Sequence, residues 1–151
     1  MFGGIDMSIM SGMNVSASGM TAQRLRLDII SQNIANVNTT RDEDGNVYRR
    51  KTVIFSEKDA TPFGDILMKT AGGASNGVKV TEIVEDTDAE MRKVYDPSHP
   101  DADEDGYVTY PNVNIVQEMT DMIDASRSYE ANVTAFNATK NMAMKGLEVG
   151  K

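Results

Sequence analysis

Along the C-terminal stretch, apolar positions recur in alternating steps of four and three. Ile115, Met119, Met122, Ser126, Tyr129, Val133, Phe136, Lys140, Ala143 and Leu147 form one heptad seam, interrupted only by Ser126 and Lys140. That period places one continuous stripe on a helix, about 50 Å long at 1.5 Å per residue. Val116 and Ile123 widen the stripe near its start. Pro111 precedes it, Asn112 or Asn114 is the expected N-cap, and Gly146 and Gly150 sit where the helix should fray. A weaker copy of the pattern lies near the N-terminus. Met13, Met20, Leu27 and Ile34 are spaced by seven, with Ile9, Ile30 and Val37 on the same side and Ser16 and Gln23 interrupting it. This predicts a helix from about Ser8 to Asn36, weakened by Gly12 and Gly19.

Helix breakers sharpen the division. All four prolines lie between Pro62 and Pro111, and neither Gly nor Pro occurs from Met20 to Asp44 or from Asn112 to Lys145. The middle reads as β and loop. Val47 to Phe55 is rich in β-formers after the turn signal Asp44-Gly45-Asn46, and residues 37–41 are available as its hairpin partner. Val78 to Val84 alternates apolar and polar residues, and residues 89–95 read as a further short strand. Phe63 to Met68 reads as a helical turn and Gly72 to Gly77 as a loop. The expected fold class is α+β: two long terminal helices pairing as a coiled-coil-like hairpin, with a small β-rich insert. The expected segments are an N-terminal helical arm (1–40), an acidic β-rich middle (41–111) and a C-terminal helical arm (112–151). One seam cannot be buried alone, so the arms pair with each other and finish their packing against neighbouring copies.

Composition narrows the function. The chain has 151 residues, no Cys, no Trp, one His and 11 Met. Disulfide scaffolds, thiolate metal sites and thiol nucleophiles are excluded. The net charge of −8 argues against nucleic acid as a partner. No apolar run approaches a membrane span, and the first 20 residues lack the basic start of a secretory signal. Residues 85–105 carry nine acids against Arg92 and Lys93, nearly the whole net charge. A near-neutral pairing surface with an acidic exterior suits a subunit that assembles.

Candidate chemistry is sparse. Asp101, Asp103 and Asp105 followed by Gly106 match the opening of an EF-hand loop, but position 12 is Asn112 where a bidentate Glu belongs, and Pro97, Pro100 and Pro111 disrupt its frame. An acidic solvated turn is the competing reading. His99 lies between two prolines beside Ser98 without a folded partner, so no enzyme and no cofactor is expected. Gly72-Gly73 lacks the Gly-Lys-Ser/Thr of a phosphate loop. Arg49-Arg50-Lys51 is a basic cluster suited to pairing with the acidic segment. Asn33, Asn36 and Asn38 close the first helix, where Asn suits C-caps and left-handed turns.

Two end motifs carry a resemblance. Ala35-Asn36-Val37-Asn38-Thr39 after a heptad helix resembles the N-terminal signature of the bacterial flagellar axial proteins, the rod and hook family. Tyr110-Pro111-Asn112-Val113-Asn114 and the run Glu118 to Asn132, with Ser126, Arg127, Tyr129 and Asn132, resemble that family's C-terminal signature. Tyr48 to Lys51 and Asp96 to Asp103 are similar to segments of proximal-rod members. The resemblance implies a structural subunit, exported without a cleaved signal through the flagellar type III apparatus. It implies polymerisation with copies of itself and other rod subunits into a hollow shaft in the basal body, between the membrane ring, the export apparatus and the distal rod. Packing would run through Met13, Met20, Leu27 and Ile34 against Ile115, Met119, Met122, Tyr129, Val133, Phe136 and Leu147. An EF-like calcium module and another axial or adaptor subunit are the alternatives.

Overall fold

The computed structural model describes residues 3–42, 45–58 and 77–149. In chain order the elements are α1 (Gly3–Ala35), β1 (Lys51–Glu57), β2 (Val78–Glu85), β3 (Arg92–Tyr95), β4 (Tyr107–Tyr110) and α2 (Ile115–Val149). This is the α+β class that the breaker pattern implies: two long terminal helices around a β-rich middle. α1 begins at Gly3, earlier than the periodicity suggests. α2 continues through Gly146 to Val149.

The chain divides into two compact units, each containing a piece of both helices. The first comprises Met1–Leu25, Phe55–Thr81 and Ala125–Lys151. Here α1 and α2 run antiparallel at close range. A Cβ added to Gly12 would lie 3.8 Å from Thr139 Cγ2, and one added to Gly19 would lie 2.8 Å from Asn132 Oδ1. Gly77 (φ +88°) rests against Ser18, whose hydroxyl accepts the Val78 N–H at 3.0 Å. A side chain at Gly77 would meet both backbone strain and the Ser18 oxygen.

The second unit comprises Arg26–Ile54 and Glu82–Asp124. Its core includes Ile29, Ile30 and Val108, with Asn33 and Glu118 also buried. β3 pairs antiparallel with β4, Arg92 opposite Tyr110 and Tyr95 opposite Tyr107. Tyr95 and Tyr107 meet edge to face, with centroids 5.3 Å apart, and the Arg92 guanidinium lies 5.0 Å from the Tyr110 ring.

β1 pairs with β2. The flanking bonds, Lys58 N–H to Gly77 O and Asp86 N–H to Arg50 O, give the antiparallel sense. Residues 37–41 are therefore not the partner of β1; they form a turn and an irregular segment leaving α1. The reason is local. Asn36 is spent on the end of α1, where its Nδ2 donates to Gln32 O at 2.9 Å and its Oδ1 accepts from the Thr39 hydroxyl at 3.1 Å. β1 starts only at Lys51, later than the β-forming run. β4 has no counterpart in the sequence reading. The expected turn at 63–68 lies outside the described residues, as does nearly all of the 72–77 loop.

Candidate functional site

Helix pairing in the first unit follows small residues. On α2 the half-buried or buried positions from Ala125 onward include Tyr129, Asn132, Phe136, Thr139 and Ala143. Of the expected seam from Ser126 onward, Ser126, Tyr129, Val133, Phe136 and Ala143 are half-buried, and Lys140 and Leu147 are exposed. A further inward line is Ala125, Asn132 and Thr139, one position aside from Ser126, Val133 and Lys140. On α1 the close approach is made by Gly12 and Gly19, one position before Met13 and Met20, which are half-buried. Small residues let two backbones come near, whereas a large apolar residue holds them apart. Hydrophobicity alone does not reveal the close approaches of Gly12 to Thr139 and of Gly19 to Asn132. Ser126 and Val133 are half-buried, Arg127 is exposed, and Leu147 is 71% exposed.

In the second unit, Leu27, Ile34 and Met122 are half-buried, while Ile115 and Met119 are exposed. With Val116 (74% exposed) and Ile123 they form an apolar strip over the first turns of α2. On another side of those turns one polar residue is wholly buried. Glu118 has no exposed surface, and its Oε2 accepts from Asn33 Nδ2 at 2.9 Å while Oε1 accepts from Arg50 Nε at 2.5 Å. Asn33 also binds both backbone groups of Lys51. Its Nδ2 donates to Lys51 O at 2.8 Å and its Oδ1 accepts from Lys51 N–H at 2.9 Å. The Tyr48 hydroxyl donates to the same Oδ1 at 2.9 Å. Burial, then the nearby carboxylates of Glu118 and Glu85, raise the Tyr48 pKa.

Asn112 holds the preceding residue from its other flank. Its Oδ1 accepts the Arg50 N–H at 2.9 Å and its Nδ2 donates to Asp86 O at 2.9 Å. Arg50 Nη2 lies 3.3 Å from Asp121, which also faces Arg26 at 3.6 Å. A cavity of about 40 Å³ adjoins this group. The start of β1 is thereby gripped by two asparagine side chains, and the buried carboxylate is compensated by one guanidinium and one amide. Asn112 and Glu118 belong to the quoted C-terminal motif and Arg50 to the similar segment Tyr48 to Lys51, whereas Asn33 reads from sequence only as a helix-end residue. No periodicity reveals this group, because its members are polar and lie in four different segments.

The other motif residues have local tasks. Asn114, not Asn112, caps α2: its Oδ1 accepts from Val116 N–H at 3.0 Å and Gln117 N–H at 3.3 Å. Pro111 is buried, Thr39 half-buried, and Ala35 and Asn38 exposed. No described non-glycine residue has a positive φ, so Asn33 and Asn36 act through side-chain hydrogen bonds and not a left-handed backbone.

The acidic segment is a turn. Asp103 Oδ1 accepts from Tyr107 N–H at 2.7 Å and Asp105 N–H at 3.1 Å, and Gly106 takes φ +80°. Asp101 is engaged by Arg41 at 3.2 Å and by the Thr40 hydroxyl at 2.8 Å. Among the described residues no three His, Asp or Glu side chains converge to hold an ion. His99 Nδ1 accepts the Asp101 N–H at 3.1 Å. No described helix is long and apolar enough to cross a membrane.

Residues 13–41 match the family described as flagella basal body rod protein, and residues 104–149 match the C-terminal family of the flagellar basal body rod FlgEFG proteins. Relatives match nearly the whole chain. The chain is 51% identical to the flagellar basal-body rod protein FlgC of Bacillus subtilis, over 96% of this chain and 100% of the relative. It is 45% identical to FlgC of Borreliella burgdorferi, over 95% and 98%, and 38% identical to FlgC of Salmonella typhimurium, over 96% and 100%. The chain belongs to the FlgC family of flagellar basal-body rod proteins.

Proposed function

We propose that this chain is a structural, non-enzymatic subunit of the flagellar proximal rod, built into the basal body by lateral packing of its helices. One observation carries the surface assignment. The large apolar residues Ile115, Val116, Met119 and Ile123 stay exposed on α2, although Glu118 in the same turns is wholly buried. Met142, Met144 and Leu147 are exposed likewise near the other end of α2. Apolar side chains spaced by four on a helix form a stripe that water solvates poorly and a neighbouring helix covers well. Copies of this chain and other rod subunits are the neighbours. A heterologous contact that does not close a ring builds a helical tube, which is what a hollow shaft requires. The chain reaches the cell envelope through the flagellar export apparatus and binds neither nucleic acid nor a cofactor.

The test is mass spectrometry of detergent-extracted hook–basal bodies from the source organism. The chain is expected in intact particles, resistant to extraction. Its absence from particles that retain their rod would overturn the assignment.

A further inference from the structure

We propose that Asn33, Arg50 and Glu118 form a register lock which makes helix pairing in their unit conditional on the arrival of β1. This inference is independent of the assembly reading. Glu118 has no exposed surface, so its charge is tolerated only while Arg50 Nε and Asn33 Nδ2 both reach it. Those partners come from different places: Asn33 from the end of α1, Arg50 from the residue before β1. Asn33 cannot serve the carboxylate alone. Its amide is also the template for Lys51, donating to that residue's carbonyl and accepting its N–H. Asn112 fixes Arg50 through its N–H.

The helices cannot close at this level with Arg50 absent, because an uncompensated carboxylate would be buried. Nor does a sliding register satisfy the group, since a shift of one turn on either helix, about 5.4 Å, removes Asn33 from Glu118. A buried polar pair is a known means of specifying register. The lock therefore opens and closes as one unit made of α1, β1 and α2 segments far apart in sequence.

The test begins with the unaltered full-length protein. Hydrogen exchange is followed by mass spectrometry under conditions where each opening leads to exchange. Peptides covering 26–35, 48–57 and 115–124 are expected to open in the same events. Independent opening of the β1 peptide while both helical peptides stay closed would overturn the proposal. Arg50→Met is expected to lower protection in all three segments at least tenfold. Because that variant can fail to fold, Arg50→Met/Glu118→Met is made beside it. With the charge removed, the double variant should recover helix protection but lose its single register. The chain has no native Cys, so spin labels at Ser31→Cys and Thr120→Cys report the register. The double variant should show a broadened or split distance distribution where the otherwise unaltered chain shows one narrow peak. One narrow, unchanged peak would mean that apolar packing sets the register and that the lock does not exist.

Discussion

Gly19 lies beneath the flat amide of Asn132: a Cβ placed on Gly19 would be 2.8 Å from Oδ1, 3.0 Å from Cγ and 3.1 Å from Nδ2. All three atoms are too close, so flipping the amide gives no relief. The side chain must swing away and give up its Nδ2 bond to Ser128 O, 2.8 Å long. Gly19→Ala is expected to destabilise the chain by about 1–2 kcal/mol, although Ala gains about 1 kcal/mol of helix propensity over Gly. Gly12→Ala, one heptad earlier, meets only Thr139 Cγ2 at an ordinary 3.8 Å and should stabilise by about 0.5–1 kcal/mol. Urea denaturation of both variants checks the opposite signs.

The inward aromatic positions of α2 behave as core. Tyr129 and Phe136 are half-buried in the first unit. Phe136→Ala should lower the stability of the isolated chain by about 2 kcal/mol, less than a fully buried Phe→Ala change. Thermal melts by circular dichroism measure this before any assembly assay is attempted.

Alkaline pH should loosen the Asn33 region. The Tyr48 pKa is raised by burial, then by Glu118 and Glu85. A folded-state pKa above the unfolded value of about 10 gives stability that is complete below that pH and is lost as pH rises through the folded value. Tyr48→Phe removes that alkaline loss together with the bond to Asn33 Oδ1. Stability measured from pH 8 to 11 should fall more steeply in the unaltered protein than in the variant.

Asp103 serves its turn. Asp103→Ala gives up the bonds to Asp105 N–H and Tyr107 N–H and should cost about 1 kcal/mol. Millimolar calcium should leave the melting temperature of both proteins unchanged. A calcium-dependent rise in the unaltered protein, absent from the variant, would restore the EF-like reading.

Much of the fold was legible because breakers and periodicity act locally. The proline-rich middle, the long terminal helices and the alternating Val78 strand each follow from neighbouring residues. The close approaches of Gly12 to Thr139 and of Gly19 to Asn132 did not, because small and polar residues carry no apolar signal. β4 was hidden within Tyr107–Tyr110, a run of only four residues beside an acidic turn. Of the candidate site, the motif asparagines were visible as residues but not as partners. Asn33, Arg50 and Glu118 meet only after the chain has folded, and no local pattern encodes that meeting.

The exposed strip on α2 is the central claim, and incorporation of a strip variant into basal bodies tests it most directly. Val116→Asp/Met119→Asp changes two side chains that are 74% and 55% exposed, so the isolated chain should keep its fold and melting temperature. Expressed in place of the unaltered chain, it should be exported yet missing from extracted hook–basal bodies, and the cells should not swim. Incorporation at the unaltered level with normal motility would show that this strip is not an assembly surface.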